Sequence, residues 1–227
     1  MKALALTLLF LASPALAQTP GQAADDWALL VRYRDDNPAL LKSGQAPTVV
    51  FMGDSITQGW AKEPDFMSDA TRVGRGISGQ TTPQMLVRFR ADVIALKPQV
   101  VHIMAGTNDI AGNTGPETDA EIEGYISSMA ELAAAHGIRG ILASIPPAAG
   151  FPWRPGPDPR PRIATINAWL RNYAAEKHFS YVDYGPVLAT ETGAMKPEFS
   201  KDGVHPNAAG FAAMAPAAAA AIRRALP

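Results

Sequence analysis

The chain predicts an α/β fold: a doubly wound sandwich built around a parallel sheet. Two observations predict it. Five short apolar runs, rich in β-branched residues and close to continuous in hydrophobicity, read as strands covered on both faces. Stretches with helical apolar spacing separate most of them, and alternation of strand and helix is the pattern of parallel α/β sheets. No internal repeat and no block of like charge intervenes.

The predicted strands are 47–53 (PTVVFMG), the weaker 71–77 (TRVGRGI), 98–106 (PQVVHIMAG), 139–145 (RGILASI) and 180–184 (SYVDY). After the second, Met85, Leu86, Phe89, Val93 and Leu96 mark one helical face, with Thr82 as N-cap and Pro83 at the first helical position. Ile122, Ile126, Met129 and Ala133 repeat the spacing, as do Ile163, Ile166, Leu170 and Tyr173. The Ala-rich tail from Asn207 to Leu226 predicts a closing helix, which Pro216 is expected to kink or interrupt. An amphipathic segment near 22–42 is expected to pack on the outside. The proline-rich stretch 146–161 follows the fourth strand and is expected to overhang the carboxyl edge of the sheet, where ligands of such folds bind.

The first seventeen residues stand apart. Met1-Lys2, the apolar run ALALTLLFLA, Pro14 and the A-x-A triplet 15–17 read as a signal peptide. The run is short of the ~20 residues a membrane span needs. The expectation is therefore a signal peptide at 1–17, a single catalytic domain at 18–227, and export to the periplasm or beyond. Removing Lys2 takes the formal net charge from −1 to −2. No basic stripe or Lys/Arg run is present, which argues against nucleic acid and against an anionic lipid surface as partners. There is no cysteine, which excludes cysteine nucleophiles and thiolate metal sites. Oligomeric state is not legible.

The chemistry gathers at the predicted strand ends. Gly53-Asp54-Ser55 follows the first strand. Alone it reads equally as a turn and helix N-cap. Gly76 and Gly79 follow the second, where glycine lets a backbone N–H approach a ligand closely. Asn108, after the third, carries an amide able to donate to a developing oxyanion, with Asp109 beside it; an Asx-turn is the plainer reading. Near the end, Asp202 and His205 lie three residues apart across Gly203, so the carboxylate can reach one imidazole nitrogen and leave the other facing outward. A serine hydroxyl needs such a base, and a carboxylate fixes the imidazole tautomer.

These blocks, GDSIT, GISGQTT, GTND and DGVHP, resemble in content and order those of the SGNH hydrolases, the GDSL-type esterases and lipases, and span Gly53 to Pro206. The resemblance implies a flavodoxin-like three-layer α/β/α sandwich with a five-stranded parallel sheet. It implies Ser55 as nucleophile, and an oxyanion hole from the Ser55 and Gly79 N–H groups and the Asn108 side chain. His205 would be the base and then the acid, oriented by Asp202. Asp54 and Asp109 match the motifs as supporting residues. A G-x-S-x-G elbow is absent, which disfavours the commoner α/β-hydrolase fold.

His102, His136 and His178 read as structural, and Asp25-Asp26 and Asp35-Asp36 as solvated pairs. No metal spacing is found, so neither metal nor other cofactor is expected. Phe151, Trp153 and Arg154 in the proline-rich loop are candidates for a substrate rim, although Trp153 could equally anchor the loop. The expected activity is hydrolysis of short acyl esters, foremost acetyl esters, of small molecules or carbohydrates through an acyl-enzyme. A lysophospholipase- or thioesterase-like acyl hydrolase and a non-catalytic glycan-binding protein are the alternatives.

Overall fold

Five strands, all parallel, form one sheet in the order β2-β1-β3-β4-β5. They are β1 (Val49–Gly53), β2 (Arg72–Gly76), β3 (Val100–Met104), β4 (Arg139–Ala143) and β5 (Ser180–Val182). The architecture comes from a computed structural model, which describes residues 25–226 apart from 45 and 68. The expected signal peptide at 1–17 lies outside the described residues. Each strand falls within the expected stretch, shorter by a few residues at its ends.

The central strands β1 and β3 are close to continuous in hydrophobicity because both faces are covered, while the edge strand β2 is broken by two arginines and two glycines. Along β1, Val50 and Met52 enter one core cluster and Val49 and Phe51 the other. The first cluster packs under three helices: α4 (Thr82–Asp92), α6 (Asp119–Ala135) and α7 (Arg160–Glu176). The second packs under α2 (Ser55–Trp60), α3 (Pro64–Met67), α8 (Gly185–Leu188) and α9 (Ala208–Ala225). A helix α1 (Asp36–Lys42), the one-turn α5 (Thr107–Ile110) and two 3₁₀ turns (Ile94–Leu96 and Pro197–Phe199) complete the described helices.

Three expectations need adjustment. The cap of α4 is Thr81 rather than Thr82, with Gln84 Oε1 accepting from the Thr81 N–H at 3.0 Å. Thr82 is freed for another task because its hydroxyl turns to Asp109. Pro216 does not end α9, which runs through it for 18 residues from the Asn207 cap. A missing donor in one turn is outweighed by burial of Phe211, Met214, Ala218, Ala221 and Ile222 along a single stripe. Of the segment 22–42, residues 25–42 are described, and they pack partly inward rather than wholly on the outside. Its described part runs through turns, with Leu29 left-handed at φ 54°, before α1 begins. It packs inward at two points: Tyr33 donates to Gly76 O at 2.6 Å, and Asn37 Nδ2 to Asp92 Oδ1 at 2.8 Å.

The chain order matters for function. β1 leads to β2 on one side and, by crossover, to β3 on the other. The carboxyl ends of β1 and β3 therefore flank the switch point where such sheets bind ligands. Ser55 follows β1 and Asn108 follows β3. The close approach is made possible by Gly53 and Gly76. A Cβ at Gly53 would lie 2.1 Å from Thr57 Oγ1, and one at Gly76 2.2 Å from the Gln58 nitrogen. Only bare backbone lets α2 start so close to the strand ends.

Candidate active site

Ser55 is the first residue of α2. Asp54 caps that helix, its Oδ1 accepting from the Ile56 N–H at 2.9 Å. The strand-to-helix turn lifts the serine hydroxyl out of the sheet edge toward the loop before α9. There His205 Nε2 lies 2.8 Å from Ser55 Oγ, across 150 residues of sequence. His205 Nδ1 lies 2.6 Å from Asp202 Oδ2. A carboxylate can only accept, so Nδ1 carries the proton and Nε2 is left to accept from the serine.

The Asp202–His205 loop is held by its own backbone. Asp202 Oδ1 accepts from the His205 N–H at 2.8 Å, the Val204 N–H at 3.0 Å and the Ser200 hydroxyl at 3.0 Å. Partial burial pushes the Asp202 carboxyl up. The N–H and imidazole bonds from His205 and the N–H of Val204 outweigh it and hold the group down at about 2. Its side chain is still 39% exposed, so solvent screens its charge and its main effect on the imidazole is orientation.

Unspent donors come from the segments after the strand ends. Among the described residues the Ser55 and Gly79 N–H groups meet no acceptor. Gly79 turns its peptide with φ 78°, a conformation that costs other residues about 1–2 kcal/mol. Asn108 is buried, and its Nδ2 donates to Gln80 O at 3.0 Å and to Asp54 Oδ2 at 3.3 Å. The longer contact is the weaker, so that proton is the one that can turn to a substrate oxygen. Burial pushes the Asp54 carboxyl up to about 6, against the Ile56 N–H and the charges of His205 and Arg88. Asp109 does not face the hydroxyl. Its Oδ1 accepts from Thr82 N at 2.8 Å and Thr82 Oγ1 at 2.5 Å, tying α5 to α4. Burial pushes its carboxyl up, and the Glu117 carboxyl beside it pushes further.

The proline-rich loop reaches the same edge. The Trp153 ring lies 5.6 Å from the His205 ring, is 41% exposed, and packs against buried Phe151 at 5.4 Å. Phe151, Pro152 and Met195 line a cleft of about 420 Å³ that ends on Asp202 and Gly203. Arg154 is exposed on the same loop. A hydroxyl, an imidazole and a carboxylate in line, with unspent N–H groups at Ser55 itself and in the loop after β2, is an arrangement that can transfer an acyl group to water.

Residues 51–213 match the GDSL-like Lipase/Acylhydrolase family. The chain belongs to that family. It is 44% identical to a GDSL-like lipase from Bacteroides thetaiotaomicron, covering 88% of this chain and 100% of that one, with a TM-score of 0.83. It is 29% identical over 182 residues to Esterase TesA of Pseudomonas aeruginosa, covering 74% of this chain and 83% of that protein. Axe2, an acetylxylan esterase from Geobacillus stearothermophilus, shares the fold at 22% identity and a TM-score of 0.62, over 78% of this chain and 94% of that one. This GDSL acylhydrolase is accordingly a carboxylic ester hydrolase.

Among the described residues no group of three or more His, Asp or Glu is placed to hold a metal ion, and no helix is long and apolar enough to cross a membrane. His102 is buried in the aromatic cluster, with Nε2 2.8 Å from the Tyr184 hydroxyl, and burial pushes its pKa down to about 3. His136 lies at the α6 C-terminus, its Nδ1 2.8 Å from Leu132 O. His178 follows α7 with φ 60°. None of the three is among the groups described around Ser55.

The sequence reading missed two residues near this site. Asn113 bonds to Asn108, and buried Arg88 donates to Gly53 O at 3.0 Å and to Gln80 Oε1 at 2.5 Å. Arg88 carried a signal: with Asp92 it falls on the same helical stripe as Met85, Phe89 and Val93. Asn113 carried none, being one polar residue in a Gly-rich turn.

Proposed function

We propose that Ser55 is the nucleophile of a short-chain esterase, with His205 as base and acid and Asp202 as its orienting group. Ser55 Oγ attacks the ester carbonyl carbon while its proton passes to His205 Nε2. The tetrahedral oxyanion is held by the Ser55 and Gly79 N–H groups and the Asn108 amide. Collapse breaks the bond to the alcohol, which leaves with the proton from His205. Water, deprotonated by the same nitrogen, then releases the acid and restores the serine. The observation that carries this reading is the unbroken line from Ser55 Oγ through His205 to Asp202, at 2.8 and 2.6 Å.

The substrate we infer is an acetyl or similarly short acyl group, with carbohydrate as its alcohol. Support comes from Trp153, an exposed ring next to the imidazole that protonates the leaving alcohol, where a sugar can stack. The test is a series of p-nitrophenyl acetate, octanoate and palmitate beside an acetylated polysaccharide. The expected result is highest kcat/KM on acetate and release of acetate from the polymer. Preference for octanoate or palmitate would point to the lysophospholipase-like alternative, with the apolar cleft taking the chain. Glycan binding without turnover would point to a binding protein.

Export completes the proposal. It rests on the basic start, apolar run and A-x-A site of residues 1–17. A mature N-terminus at Gln18 in the exported fraction is the expected finding, and an intact Met1 in that fraction would overturn it.

A further inference from the structure

We propose that Asn113 is a positioning residue for the oxyanion hole: it holds the oxygen end of the Asn108 amide and so aligns the NH₂ end, and it takes its own orientation from Trp153. The inference rests on the esterase reading of Ser55, His205 and Asn108.

The argument is one of hydrogen-bond polarity. An indole nitrogen only donates. Trp153 Nε1 lies 3.1 Å from Asn113 Oδ1, which fixes that end of the Asn113 amide as the oxygen. The Nδ2 end then points inward, where it donates to Asn108 Oδ1 at 2.8 Å and to Gly79 O at 3.1 Å. Asn108 is thereby fixed in turn. Its oxygen is spent on Asn113, and its NH₂ faces Gln80 O and Asp54, the residue before Ser55.

Without Asn113, the Asn108 oxygen loses its donor and the amide is held from its NH₂ side alone, by Gln80 O and Asp54 Oδ2, so the donor meant for the oxyanion is less firmly aligned. The bond to Gly79 O also pins the second donor loop. One side chain thus holds both donor segments that lie outside α2. Asn113 is itself held by its N–H, which donates to Asn108 O at 3.0 Å. Because the chain of bonds starts at Trp153, the ring that meets the leaving group and the amide that meets the oxyanion are set by one network.

The test compares Asn113→Ala and Asn113→Asp with wild type on p-nitrophenyl acetate, in the presence and absence of Asn108→Ala. Asn113→Asp keeps the shape and an acceptor for Trp153 but removes both inward donors. Each single change is expected to lower kcat about 10- to 100-fold, a misaligned donor costing less than a deleted one. KM should stay within about threefold, since an oxyanion donor acts on the transition state rather than on bound substrate. Asn108→Ala alone is expected to cost about 100- to 1,000-fold. In that background Asn113→Ala should cost clearly less than it does alone, under about fivefold, because only the Gly79 segment is left for it to position. Trp153→Phe, which keeps a ring over His205 and loses only the N–H, should cost about 2- to 10-fold.

Two results would overturn the assignment: turnover in both Asn113 variants within about twofold of wild type, or an Asn113 penalty undiminished when Asn108 is already alanine. The second is what a purely structural role would give. Failure of the underlying reading looks different, because Ser55→Ala would then retain wild-type turnover whatever Asn113 does.

Discussion

Ser55→Ala should lower kcat on p-nitrophenyl acetate by about 10⁶-fold, with His205→Ala equally severe and the double variant scarcely worse. Nucleophile and base act as one unit, so removing either ends covalent catalysis, and only transition-state binding by the remaining donors survives. The fold should not notice the serine change. The Ser55 hydroxyl makes its hydrogen bond to His205 Nε2 alone. The α2 N-terminus is capped by Asp54 instead, so the thermal midpoint should move by no more than a few degrees. A fluorophosphonate that labels wild type should leave Ser55→Ala unlabelled. Wild-type turnover by a correctly folded Ser55→Ala protein would remove the nucleophile assignment and the acyl-enzyme with it.

The parts of this site that were legible in the sequence are those written locally. β1 and β3 announce themselves by apolar runs, because two helical layers cover the sheet, whereas the edge strand β2 gave only a weak signal. The first three strand ends are each followed within four residues by a candidate group: Ser55 after β1, Gly79 after β2, Asn108 after β3. Asp202 and His205 are three residues apart on one loop. What could not be read is what depends on a single side chain meeting a distant one. Asn113 reaches Gly79 across 34 residues and receives Trp153 across 40. Nothing in the composition of a Gly-rich turn encodes that meeting. Trp153 was visible only as a residue with two readings. The geometry joins them, since the loop is anchored to Asn113 by the same ring that lies over His205. The Thr81/Thr82 cap shows a subtler limit. Two adjacent threonines compete for one role, and the choice is made by Asp109, which takes the Thr82 hydroxyl from a different strand end.

Arg88→Ala should be the most damaging change to stability, lowering it by about 3–5 kcal/mol. The side chain is 0% exposed and every polar atom of the guanidinium is engaged. Nε donates to Gln80 Oε1, Nη1 to Asp92 Oδ2 at 3.0 Å, and Nη2 to Gly53 O. Burial disfavours the charge and lowers the Arg88 pKa, while Asp92 opposes that shift through its charge and its hydrogen bond. Alanine removes the cation and leaves the Gly53 carbonyl and the Gln80 amide oxygen buried without this donor. Asp92 fares better than an isolated carboxylate. Asn37 Nδ2 still donates to it, and the buried cation of Arg75 is nearby, bonded to Asn37 Oδ1. That remaining compensation places the expected loss at the lower end of the range.

Domains of this kind have about 5–15 kcal/mol in total, so the variant should fold but unfold at a urea midpoint lower by about 1–3 M at unchanged m. Arg88→Met with Asp92→Leu should recover much of the loss, since an apolar pair of similar volume leaves no buried charge. Activity should not recover with it. Gly53 precedes Asp54 and Ser55, and Gln80 follows Gly79, so the guanidinium ties together the two segments that carry the backbone donors. A midpoint within about 0.3 M of wild type for Arg88→Ala would mean that the guanidinium contributes nothing net. Full activity in the apolar double variant would mean that the clamp serves stability alone.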